Sequence, residues 1–142
     1  KLVVGIYLDL YDEIEGNIMF ILDLESAINL TDMLLNRKSE GQELDEIALS
    51  ALSEVGNILA SSYVNSLSAL TDLKITVSVP SLAIDMAGAI LSVPAIKFGQ
   101  IADQILFIET VFAEDDNYVK GNLFLMPDMS SFEKILSSLG VL

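Results

Sequence analysis

At 142 residues the chain is long enough to bury the core of one domain, and its 52% apolar content and mean hydropathy of +0.55 promise a large one. The formal net charge of −14, with only seven basic residues, excludes a cationic surface for nucleic acid. The absence of cysteine and histidine excludes disulfides, thiol nucleophiles, serine–histidine triads and the usual zinc sites. Every apolar stretch stops short of the roughly 18–20 uninterrupted residues of a spanning helix. Asp9 and Asp12 interrupt the first, Asp23 and Glu25 close the second, and Asp85, Pro94 and Lys97 punctuate the run from Leu82 to Phe98. No secretory signal opens the sequence, so a cytoplasmic location is expected, with no membrane partner.

In chain order, an apolar strand is expected from Val3 to Leu10, then an acidic turn at Asp12-Glu13-Ile14-Glu15. The segment Gly16-Asn17-Ile18-Met19-Phe20-Ile21-Leu22-Asp23 returns as the second arm of a hairpin. Glu25 to Leu35 is amphipathic and reads as a helix, with Asp23 placed to cap it. The same features recur near the C-terminus. Ile105 to Ala113 is apolar, Glu114-Asp115-Asp116-Asn117 is an acidic turn, and Gly121-Asn122-Leu123-Phe124-Leu125-Met126-Pro127-Asp128 echoes the Gly16 segment. A helix from Ser130 to Leu139 follows, with Asp128 as its expected cap. The pattern is that of two hairpin-plus-helix units, although two apolar hairpins can also echo one another by chance.

Between the units, Arg37 to Gln42 is polar and reads as a loop, and a long helix is expected from about Glu43 to Leu70. Leu44, Ala48, Ala51, Leu52, Val55, Leu59, Ser62 and Ser66 follow the 3.6-residue period of a core face. From Leu73 to Val79, Lys74, Thr76 and Ser78 alternate with Ile75, Val77 and Val79, as in a strand with one wet face, which Pro80 is expected to end. The stretch from Leu82 to Phe98, interrupted by Gly88 and Pro94, supports no single assignment.

The other side of the long helix carries Ser50, Glu54, Asn57, Ser61 and Ser68 in a narrow stripe. Glu54 and Asn57, one turn apart, are neighbours separated by about 4.5 Å of axial rise. The small residues Ser53, Gly56, Ala60 and Ser61 suggest a low, open surface around them. Such a pair is ordinarily a solvated face. Gly56 in mid-helix costs about 1 kcal/mol relative to alanine, which points either to tight packing on a strand or to close approach by a partner.

Read whole, the segment resembles the CheC, CheX and FliY phosphatases of chemotaxis. Ser50, three residues, Glu54, two residues, Asn57, twenty-two residues and Pro80 match the family pattern of Asp or Ser, Glu, Asn and Pro. The flanks Leu44-Asp45-Glu46-Ile47-Ala48-Leu49-Ser50-Ala51 and Glu54-Val55-Gly56-Asn57-Ile58 are similar to the family's motif helix, and Ile84-Asp85-Met86 with the closing Phe132-Glu133-Lys134-Ile135-Leu136 is similar to the later part of CheC in particular. The resemblance implies an α/β, pseudo-two-fold fold in which hairpin-and-helix repeats share one β-layer and the long helix packs on it. It implies a cytoplasmic hydrolase of two-component signalling that dephosphorylates the aspartate of a CheY-type receiver domain. Asn57 would orient the attacking water and Glu54 would pair with the receiver's lysine; Ser50, Gly56 and Pro80 would support them. No cofactor is expected in this chain, the Mg²⁺ belonging to the receiver. Asp85 either caps a turn or contacts CheD, a receptor deamidase that family members bind.

The likeness has departures. The family's first strand and first motif helix have no counterpart here, so roughly fifty to seventy residues by analogy would precede Lys1, and residues 1–142 are expected to form one CheC-like domain short of part of its N-terminal half. Apolar surface left by that gap would favour a homodimer, as in CheX. The −14 charge opposes encounter with an acidic receiver pocket. The competing expectation is a weakly active or inactive module that binds CheD or the flagellar switch. Membrane-surface association is a third, which the acidic balance opposes.

Overall fold

The computed structural model describes residues 1–39, 41, 43–90, 92, 105–114 and 116–141. The two expected hairpins form: β1 (Leu2–Asp12) with β2 (Gly16–Asp23), and β5 (Leu106–Glu114) with β6 (Asn117–Pro127). Helix α1 (Leu24–Leu35) follows the first hairpin, and α3 (Met129–Ser138) follows the second. Helix α2 (Glu46–Thr71) lies between the units, and β3 (Ile75–Val77) and β4 (Ser81–Met86) come after it.

The six strands among the described residues share one antiparallel sheet in the order β3-β1-β2-β6-β5, with β4 also on β1. Strands β3 and β4 pair with successive parts of β1, Leu10–Asp12 and Leu2–Tyr7, and so form a single interrupted edge. Pro80 therefore interrupts this edge strand rather than ending it, and Ser81–Met86, where the sequence supported no assignment, is a strand. Proline is tolerated there because an edge strand leaves some N–H groups unpaired. Residues 91 and 93–98 of the same apolar stretch lie outside the described residues.

The repeat is a true structural symmetry. Strands β2 and β6 carry the echoed segments and pair with one another. Met19 and Phe124, equivalent in the repeat, face each other; Asn17 faces Met126 and Ile21 faces Asn122, so the equivalents exchange across a local two-fold axis. Even the polar positions correspond: Asn17 lies opposite Asp9, and Asn122 opposite Glu109.

One sheet face, with Val4, Ile6, Leu8, Leu10, Ile18, Phe20 and Leu123, packs on Ala27 and Leu30 of α1, Leu52, Ala60 and Val64 of α2, and Ile135 of α3. The opposite face carries a smaller cluster of Val3, Met19, Ile21, Ile90 and Met126. The two expected caps behave differently. Asp128 accepts a hydrogen bond from Ser131 N at 2.8 Å and caps α3, whereas Asp23 makes no capping bond and pairs instead with Lys1 Nζ at 2.8 Å.

The core ridge of α2 departs from the expected stripe. Ala48, Leu52, Gly56, Ala60 and Val64 are buried at four-residue steps, while Ser62 and Ser66 are exposed. Gly56 and Ala60 thus face the sheet and are not part of an open surface. A Cβ on Gly56 would stand 2.6 Å from Ile6 Cγ2, so the glycine is there for helix–strand packing. By length and mean hydropathy, 1.2 over its best window, α2 would also suit a membrane span; here its buried ridge packs on the sheet.

Candidate functional site

Helix α2 starts from a well-built N-terminus. Asp45 takes the cap position and accepts a hydrogen bond from Ala48 N at 2.9 Å. Arg37 grips both oxygens of the same carboxylate, Nη1 to Oδ2 at 2.9 Å and Nη2 to Oδ1 at 2.8 Å, and thereby ties the preceding loop to the helix. That guanidinium, with the Ala48 amide, holds the Asp45 carboxyl below its usual 3.8. Asp32 is likewise lowered, by hydrogen bonds from Ser39 Oγ and N, and tethers the other end of the loop to α1.

Small residues on the buried ridge let α2 lie close to β1, and this brings its neighbouring face beside the interrupted edge strand. A hollow of about 500 Å³ forms between them, lined by Ser50, Ser53, Glu54 and Asn57 of the helix and by Val77 to Pro80 of the strand. All four positions of the spaced motif therefore meet in one place. Ser50 and Glu54 are exposed, Asn57 and Pro80 half-buried. Among the described residues, neither the Glu54 carboxylate nor the Asn57 carboxamide has a hydrogen-bond or ion-pair partner, so both are free to engage a ligand. Ser61 and Ser68 of the expected stripe lie outside the hollow, and the Ser68 hydroxyl donates to Leu73 O at the helix end.

Two expected members stand elsewhere. Gly56, buried against Ile6, positions its neighbours through packing and is closed to any partner. Asp85 is exposed within strand β4, paired with Val3 of β1, and its Oδ1 accepts from the adjacent Met86 N at 2.7 Å. Asp85 is absent from the lining of the Glu54–Asn57 hollow.

The sequence reading missed Val77, Ser78 and Val79 as parts of the site. Val79 was expected on the inner face with Ile75 and Val77; Ile75 is buried, but Val79 is 86% exposed. The available signal was Pro80, which cannot donate to a ladder and restricts the residue before it, so alternation is unreliable one residue upstream.

Chemically, the hollow offers one anionic acceptor and one amide able both to donate and to accept. Among the described residues no cluster of carboxylates could hold a metal ion. The arrangement suits docking and water orientation against a group brought by another molecule.

A CheC-like family model matches residues 47–84, the stretch from α2 into β4 that holds these four positions. The CheY-P phosphatase CheC of Bacillus subtilis (strain 168) is 32% identical, covering 97% of this chain and 68% of that protein. Two solved structures share the fold. FliY of Thermotoga maritima matches with a TM-score of 0.71 and 23% identity, over 98% of this chain and 71% of that one. CheX in the CheX–CheY–BeF₃–Mg²⁺ complex from Borrelia burgdorferi matches with a TM-score of 0.62 and 20% identity, over 88% and 75%. The chain belongs to the CheC-like family.

Proposed function

We propose that this chain is a cytoplasmic phosphatase for the phosphoaspartate of a CheY-type receiver domain. The observation that carries the reading is the unpaired Glu54 and Asn57, side by side in one hollow with Ser50 and Pro80. The name of the Bacillus relative and the CheX–CheY complex support the choice of substrate.

Water attacks phosphorus in line, the bond from phosphorus to the aspartyl oxygen breaks, and the products are the free carboxylate and inorganic phosphate. Such transfers respond mainly to positioning and electrostatics. Asn57 is no base; its Oδ1 accepts a hydrogen bond from the water and so turns the water's own lone pair toward phosphorus, while its N–H₂ donates to a phosphoryl oxygen. Glu54 pairs with the receiver's lysine and sets the helix in register. The Mg²⁺ stays with the receiver, as part of the substrate.

The direct test mixes the protein with a receiver domain phosphorylated by a small-molecule donor and follows phosphate release against a no-protein control. Acceleration is expected. Binding without acceleration would instead identify an interaction module, of the kind that engages CheD or the flagellar switch.

A further inference from the structure

Three residues of the edge strand, Ser78, Val79 and Pro80, stand opposite only two of β1, Leu8 and Asp9, because the ladder runs from the Val77–Leu10 pair directly to Ser81–Tyr7. This is a bulge, and it is held by design rather than by default. Ser78 N donates to Asp9 O at 2.9 Å, and Asp9 N donates to Ser78 Oγ at 2.8 Å. The Ser78 hydroxyl in turn donates to Val79 O at 3.2 Å. One serine thus takes the place of a ladder partner, and the extra residue, Val79, is pushed out beside Glu54 and Asn57.

A lone exposed valine is ordinary. One at 86% exposure, held out by a hydrogen-bonded bulge on the rim of a hollow with two unpaired polar groups, is a built feature. Beyond Pro80 the surface continues into a second hollow, of about 480 Å³, whose walls include Leu49, Leu82 and Ile84. With a net charge of −14, the chain gains nothing from long-range attraction to another acidic domain. Affinity must come from short-range contact.

We infer that Val79, presented by the Ser78–Pro80 bulge, is an apolar specificity contact that seats the receiver domain against Glu54 and Asn57, with Ser78 as its positioning residue. This rests on the phosphatase reading and names how that site selects its partner. Receivers with an apolar surface at the rim of the phosphorylation pocket are substrates; those with a carboxylate there are rejected.

The test measures kcat and KM for the phosphorylated receiver, and binding of the receiver loaded with beryllium fluoride. Val79→Asp raises KM and weakens binding by about tenfold to a hundredfold, the equivalent of losing one buried valine, with kcat unchanged. Val79→Ile retains wild-type values. Ser78→Ala raises KM although Val79 is intact, and Ser78→Thr restores it. Leu70→Asp, some 20 Å further along α2, alters nothing. Equal KM and binding for wild type and Val79→Asp overturn the inference while leaving a wild-type acceleration to support the phosphatase. If wild type gives no acceleration, the phosphatase reading falls, and the binding comparison alone decides the contact: weaker binding by Val79→Asp sustains it, and equal or absent binding overturns it.

Discussion

Replacing Gly56 by alanine tests how α2 is seated, because two physical effects oppose each other there. In a free helix the change would stabilise by about 1 kcal/mol. In this fold the new Cβ would stand 2.6 Å from Ile6 Cγ2, where carbon contacts are favourable at about 3.5–4.0 Å, so roughly 1 Å of displacement is needed. Ile6 cannot supply it. The residue is fully buried and locked between Phe20 of β2 and Leu82 of β4 in the ladder, so the helix must lift instead. Overpacking of this kind costs about 1–3 kcal/mol, which leaves a net destabilisation of about 0–2 kcal/mol. Thermal unfolding would show a Tm lower by up to about 6 °C, at about 3 °C per kcal/mol, and urea unfolding a midpoint no higher than that of wild type. The cycle with Ile6 isolates the cause. In an Ile6→Ala background, Gly56→Ala becomes stabilising, since the clash is gone and the methyl fills part of the cavity; in Ile6→Val, which keeps the offending methyl, the penalty persists. A higher Tm for Gly56→Ala in the wild-type background would refute this account of the helix–strand contact.

Asp72 ends α2 in the left-handed region at φ 58° and places a negative charge at the negative end of the helix dipole. Asp72→Gly relieves both and is expected to raise stability by about 0.5–1.5 kcal/mol, read as a higher Tm. Asp32 and Asp45 have carboxyls held below 3.8, so the folded state binds their protons more weakly than the unfolded chain does. Their contribution is complete above about pH 4 and is lost as pH falls through the lowered values. The Asp32→Asn/Asp45→Asn variant should therefore show a flatter fall of Tm below pH 4 than wild type, and an unchanged slope would count against the loop clamp.

The hairpins were legible because apolar runs closed by acidic turns leave few alternatives, and the repeat foretold that β2 and β6 would be related. The site was legible because spacing along a helix translates directly into geometry: Ser50, Glu54 and Asn57 share a face whatever the helix packs on. The core ridge was less so. Small residues such as Gly56 and Ala60 were read as open surface, yet they are small because the sheet approaches most closely there. Strand β4 was obscured because Ser81–Met86 follows Pro80, read as a strand end, and opens an apolar run that Gly88 and Pro94 break without a clear period. Asp23 and Asp128 are equivalent in sequence, yet one carboxylate pairs with the ammonium of Lys1 while the other caps its helix, a difference that the repeat itself does not encode.

The most direct measurement of the proposed chemistry is single-turnover dephosphorylation of the receiver at saturating protein, comparing Asn57→Ala with Glu54→Ala. Asn57→Ala should lose about two to three orders of magnitude in the maximal rate with binding retained, the usual cost of one preorganised polar group at a reacting centre. Glu54→Ala should chiefly weaken binding. An Asn57→Ala protein that still accelerates phosphate release at the wild-type rate would contradict the assignment of this helix edge as the catalytic element.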